Sequence, residues 1–141
     1  MPRLKDILQE RALFSAQAGQ SVAEVAGQMA ARNVGAILVL ENGELRGVFS
    51  ERDLMTRVVV AGLDPARTPV EKVMSTHLST IQESATLEDA MQLMRQCNCR
   101  HLPVMRGPQV AGFISMRDLM LFELERKTEE LQHIHRYIQS V

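Results

Sequence analysis

A chain of 141 residues suits one domain, or two small units that share a core. Lys and Arg number 16 against 17 Asp and Glu, and the net charge of -1 gives no broad basic face for nucleic acid or anionic membrane. Aromatics are 4% with no Trp, too few for base-stacking platforms, while 45% apolar and 23% charged residues are ordinary for a soluble globular protein.

The N-terminal stretch MPRLKDILQERALF is broken by charges and is not a signal peptide. No apolar run approaches the ~20 residues of a membrane span. A cytoplasmic protein with no membrane and no nucleic-acid partner is expected. LFSAQ, from Leu13 to Gln17, reads as a short strand. Ser21 then caps a helix, with Glu24 three residues on. Val22, Val25, Ala26 and Met29 follow the i, i+3, i+4, i+7 stripe of a helix with one buried face. AILVL and LRGVF are two strands around an Asn42-Gly43 turn. Ser50 opens a second helix. GLDPARTP, from Gly62 to Pro69, carries two prolines and predicts an extended linker.

After the linker the same order returns. LSTIQ is a strand, and Thr86 caps a helix with Asp89 three residues on. Leu87, Ala90, Met91 and Met94 form its stripe. HLPVM and VAGFI flank the Gly107-Pro108 turn, and Ser115 opens the last helix. Slid by 65 residues, the chain matches itself without a gap from Leu13 to Met55, with 11 of 43 positions identical. With one residue of slip, LKDIL at Leu4 also matches VEKVM at Val70. The unit is β-α-β-β-α, occurring twice. One copy of ~60 residues buries too little apolar surface to be secure alone. The predicted fold is therefore α/β (α+β): one domain of two repeats with pseudo-two-fold symmetry. The expected limits are 1–64 and 65–122, with a C-terminal helical extension over 123–141. Leu124, Leu131, Ile134 and Ile138 give that helix an apolar stripe. A dimer partner is its first expected docking surface, and the chain's own body the second.

Cys97 and Cys99 are only two apart, a poor spacing for a structural disulfide, and no other Cys or His pair sits at finger spacing. Two reduced thiols are expected, with a redox-sensitive Cys97 as the alternative. His77, His133 and His135 have no acid or thiol at ligand or triad spacing and read as surface residues. No nucleophile–base pair, Walker loop or metal cage is evident, so neither an enzyme nor a metal site is expected.

The most informative words are GVFSERDLM at Gly47 and GFISMRDLM at Gly112. Ser followed three residues later by an acid is a helix capping box, worth around 1 kcal/mol. It is also a candidate ligand site. A helix start presents free N–H groups to a phosphate. Asp53 and Asp118 carry carboxylates able to accept two hydrogen bonds from the vicinal hydroxyls of a ribose. Gly47 and Gly112 each sit three before the Ser, where glycine weakens a strand unless another group must come close.

The duplicated unit, closing each time on Gly-h-h-Ser-x-x-Asp-h-h with h apolar, resembles a tandem pair of CBS domains, the Bateman module, of the stand-alone bacterial type. LSTIQESATLEDAM at Leu78 and RHLPV at Arg100 are similar to further family motifs, and the likeness spans about Leu4 to Leu121. The resemblance implies a regulatory, signal-transducing and energy-sensing module. It would bind AMP, ADP, ATP, S-adenosylmethionine or NAD(H) in clefts between the repeats, with no catalytic cofactor. Asp53 and Asp118 would hold ribose hydroxyls. Ser50 and Ser115 would sit by the first phosphate, with Arg52, Arg117, Arg100 and His101 reaching the phosphates. Adenine would lie near Ser15, Ala16, Ala36, Ile37 and Val48 in one cleft. In the other it would lie near Thr80, Ile81, Leu102, Pro103, Phe113 and Ile114. A homodimer and an unidentified regulated protein complete the implied partners. Arg100-His101-Leu102-Pro103 falls on Gly35-Ala36-Ile37-Leu38 in the repeat register, so the two clefts should be unequal. Two rivals remain: a nucleotide hydrolase or transferase using Asp53 or Asp118 as base, and a nucleotide-independent dimerisation or interaction module with degenerate clefts.

Overall fold

The computed structural model describes residues 2–8 and 12–140. Met1 and Val141, the ends of the expected first and last segments, lie outside the described residues. The chain forms α1 (Leu4–Leu8), β1 (Ser15–Gln17), α2 (Val22–Arg32), β2 (Ala36–Glu41), β3 (Glu44–Ser50) and α3 (Glu51–Asp53). A π-helical segment, Leu54–Val59, prolongs α3, and a 3-10 turn follows at Val70–Lys72. The second half is β4 (Ile81–Gln82), α4 (Leu87–Cys97), β5 (His101–Arg106), β6 (Gln109–Ser115) and α5 (Met116–Ser140).

The predicted α/β duplication is borne out. Two three-stranded sheets, β1-β2-β3 and β4-β5-β6, share one topology: a parallel pair, then an antiparallel hairpin. Even the irregularities repeat. The hairpin register shifts after Val39↔Gly47 in one sheet and after Val104↔Gly112 in the other. Asn42 (φ 52°) and Gly43 (φ 79°) make the first tight turn. The caps also stand where the sequence places them. Ser21 accepts from the Glu24 N–H, and Thr86 and Asp89 close a full capping box.

Each half has its own apolar core, and the cores exchange segments. Val70, Val73 and Met74, which lead into the second repeat, pack with Val22, Val25, Met29, Ile37 and Phe49 of the first. Leu4, Ile7 and Leu8, which lead into the first repeat, pack with Leu87, Ala90, Met94, Leu102 and Ile114 of the second. The one-residue slip between LKDIL and VEKVM marks these equivalent segments. They also explain the paired glycines. A Cβ on Gly47 would stand 2.6 Å from Met74 Sδ and 2.8 Å from the Ser75 carbonyl; one on Gly112 would stand 2.7 Å from a Leu8 methyl. The close group is the protein's own crossing segment.

Three expectations are corrected. The linker is not extended: Asp64 folds it into turns, accepting from the Arg67 N–H, the Ala66 N–H and the Thr68 hydroxyl. It then docks on α2, where Ala23 and Val22 donate to Pro65 and Thr68 carbonyls. The chain's own body does not receive the C-terminal helix, since residues 127–140 of α5 are all exposed. Cys97 and Cys99 are joined in a disulfide instead of standing as reduced thiols. Among the described residues, no helix is long and apolar enough to cross a membrane.

Candidate functional site

β3 and β6 lie against each other, and a cleft opens on each side of that seam. The larger, of about 1000 Å³, is walled by Ala36, Val48, Ser50, Arg52 and Asp53 from the first repeat and by Arg100, His101 and Pro103 from the second. The smaller, of about 540 Å³, is walled by Phe113, Ser115, Arg117 and Asp118, again with Ala36, Arg100 and His101. Both volumes suit a small ligand. The predicted Ser, Asp and Arg residues are thus brought together, one set per cleft. Arg100 and His101 border both clefts.

Seven of the eleven predicted adenine-pocket residues line neither cleft. Ala16, Ile37, Leu102 and Ile114 are fully buried in the two cores. Ile37, Leu102 and Ile114 alternate along their strands with Ala36, Pro103 and Phe113, which do face a cleft, as does Val48 on β3. Ser15, Thr80 and Ile81 line neither.

The Ser–Asp pairs are helix caps in full. Ser50 N–H donates to Asp53 Oδ2 at 3.0 Å, and Asp53 N–H donates to Ser50 Oγ at 3.1 Å. Ser115 and Asp118 do the same at 2.9 and 3.0 Å. Asp therefore closes the reciprocal box as well as Glu would. Asp53 does more. It is 7% exposed, the one buried charged side chain among the described residues. It also accepts the Ser50 hydroxyl at 3.0 Å and the Ser75 hydroxyl at 3.0 Å, and Arg57 stands 3.6 Å away. A buried carboxylate needs such donors. Arg57 is in turn held by the Met74 carbonyl at 2.9 Å. The sequence carries a signal for Arg57, four residues after Asp53 on a helix face. It carries none for Ser75, which reaches the cleft only because its segment bridges β3 at Val48. His77, expected on the surface, stands exposed at the rim of this cleft.

His101 stacks on Phe113, with ring centroids 5.2 Å apart. Burial pushes its pKa below the usual imidazole value, and the nearby Asp118 and Glu51 carboxylates partly restore it. Among the described residues there is no cluster of His, Cys, Asp and Glu able to hold a metal.

The CBS domain signature matches residues 4–60 and again 70–125. The chain belongs to the CBS domain family. It is 38% identical over 109 residues to the CBS domain-containing protein YhcV of Bacillus subtilis, covering 77% of each chain. Among solved structures, the CBS domain NE2398 aligns with a TM-score of 0.81 at 30% identity, over 87% of this chain and 98% of that one. The CBS domain protein PAE2072 of Pyrobaculum aerophilum, complexed with AMP, aligns with a TM-score of 0.75 at 26% identity, over 89% and 99%. Other curated relatives are longer, and this chain spans 16% to 23% of six of them. The molecule is a CBS-domain regulatory module, and its two clefts lie between the CBS repeats.

Proposed function

We propose that this CBS pair binds adenosine-containing nucleotides, AMP, ADP, ATP or NAD(H), and passes their occupancy to a partner protein by a change of shape. The observation that carries this reading is the repeated wall of each cleft. Both present a helix start, a Ser and an Asp, with Arg100 and His101 between them. The AMP complex of the P. aerophilum protein supports the ligand class. In this reading Asp53 and Asp118 take the ribose. Ser50, Ser115, Arg52, Arg117 and Arg100 meet the phosphates. The Asp53 cleft also holds Arg57, Thr56 and Ser79, and so favours the ligand with more phosphate charge. Ligand binding there requires Asp53 to release Ser75, which couples the cleft to the crossing segment.

The proposed assembly is a homodimer, in a cytoplasmic setting. Met55 and Val59 are exposed, as are their repeat equivalents Met120 and Leu124, and Leu131, Ile134 and Ile138 continue the stripe along α5. That face supports pairing with a second copy.

A thermal-shift panel of adenine nucleotides tests the function. A true ligand at 100 times its Kd stabilises by ~2.7 kcal/mol. Asp53→Ala and Asp118→Ala should each weaken AMP binding by about 1.5–3 kcal/mol. A double variant that binds AMP as the parent does overturns the ribose assignment. No shift with any nucleotide returns the module to a pure interaction role, and turnover of ATP by the pure protein returns the enzyme.

A further inference from the structure

We infer that Cys97 and Cys99 form a reversible dithiol–disulfide pair in the wall of the Asp53 cleft, and that its redox state and the cleft's ligand occupancy influence each other. The coupling rests on the nucleotide reading above; the thiol chemistry does not.

The two cysteines flank Asn98, whose left-handed φ of 53° turns the chain at the end of α4. The turn is tied by the Cys99 N–H, which donates to the Met94 carbonyl at 3.1 Å. The first repeat makes the same turn with no sulfur. Asn33 has φ 53°, Val34 N–H donates to the Met29 carbonyl at 3.1 Å, and the flanking residues are Arg32 and Val34. The turn is therefore a property of the fold, not a product of bridging. It sets the Cys97 and Cys99 Cα atoms 5.3 Å apart, inside the roughly 4.4–6.8 Å span that a disulfide needs. A pair already placed this way closes with little further ordering.

Both cysteines are half-buried against the second core, and both line the Asp53 cleft together with Arg100 and His101. The cleft is thus the route by which a small oxidant reaches them.

The reaction is thiol–disulfide exchange with a low-molecular-weight disulfide such as oxidised glutathione. One Cys thiolate attacks the small disulfide, forming a mixed disulfide and expelling one small thiolate. The other Cys thiolate attacks the protein sulfur of that bond and expels the second. The two protons lost by the cysteines end on the two released thiols. The protein is oxidised by two electrons and the small disulfide is reduced by two. The closed bridge ties the end of α4 to the residue before Arg100, and a nucleotide lying in the cleft covers the sulfurs. If occupancy favours one redox state, that redox state must favour occupancy by the same factor.

The full chain, reduced with dithiothreitol and then exposed to oxidised glutathione, should lose both thiols and two hydrogen masses while retaining no glutathione. Stable glutathione adducts, disulfide-linked dimers or two surviving thiols overturn the dithiol pair. Cys97→Ser and Cys99→Ser, checked for an unchanged melting temperature, should each trap a single glutathione. AMP affinity is then measured in both states. A difference of about fivefold or more is expected, with AMP shifting the dithiol–disulfide equilibrium in glutathione redox buffers by the same factor. The Cys97→Ser, Cys99→Ser double variant should show no such difference. AMP that binds equally to both forms overturns the coupling and leaves the nucleotide reading intact. Absence of any nucleotide binding overturns that reading and the coupling together, while the thiol count still judges the dithiol pair.

Discussion

In the first repeat β2 is preceded by Gly35 and opens with Ala36-Ile37-Leu38; in the second, β5 is preceded by Arg100 and opens with His101-Leu102-Pro103. The backbones keep one register, since Ala36 pairs with Ser50 as His101 pairs with Ser115. The side chains do not. Arg100 and His101 stand at both clefts, whereas Gly35 and Ala36 leave room there. The acids differ as well. Asp53 is held by a serine from the crossing segment, and its equivalent segment near Asp118 places Leu8 against Gly112. Duplication has kept the frame, meaning caps, bulges and close-approach glycines, and has let the residues facing the seam diverge.

The largest test of this comparison removes equivalent core residues. Phe49→Ala should cost about 3–5 kcal/mol and Ile114→Ala about 2–5 kcal/mol in urea unfolding. Because the cores exchange segments, each variant should still unfold in one transition. Two separated transitions would show that the halves are independent. The paired glycines come next, with Gly47→Ala expected to lose about 1–3 kcal/mol. Gly112→Ala should lose less, because its new methyl meets a Leu8 side-chain end that can turn, whereas Gly47 faces a backbone carbonyl. Equal losses would mean the Ser75 segment yields as easily as Leu8. Ser75→Ala removes a donor to a buried carboxylate and should cost about 1–2 kcal/mol. The same change should strengthen AMP binding in the Asp53 cleft by calorimetry, and weaker binding would show that Ser75 supports the site.

The smallest effect belongs to His101, which has no counterpart in the first repeat. Its folded pKa lies below the ordinary 6.5, so the unfolded chain takes up the proton first. The contribution of the neutral ring is full above 6.5 and is lost as pH falls through that value toward the folded one. Urea midpoints at about pH 7.5 and about pH 5.5 should differ less in His101→Phe than in the parent, by less than ~1 kcal/mol. A pH response unchanged by the substitution would assign it elsewhere.

How much was readable in advance depended on how local the cause was. The capping boxes at Ser50 and Thr86, the Asn42-Gly43 turn and the helix stripes involve partners within a few residues, so spacing alone displays them. The candidate site was half readable. Ser50, Asp53, Ser115 and Asp118 announce themselves as a repeated motif, and the register of Arg100 and His101 marks the asymmetry. Ser75 announces nothing, and the alternation that sends Ile37 and Leu102 inward while Ala36 and Pro103 face the clefts depends on which sheet face is covered.

By itself the sequence determined the duplication, the order of elements and the residues that begin each helix, because hydrophobic period and side-chain capping act over one or two turns of chain. The tertiary structure alone decided that the segments after the N-terminus and after the linker cross to the opposite repeat. It decided that Gly47 and Gly112 make room for those segments, that Asp53 is already occupied by Ser75, and that Cys97 and Cys99 meet beside a cleft. Each of those depends on which surfaces come together when two cores too small to stand alone bury each other's edges.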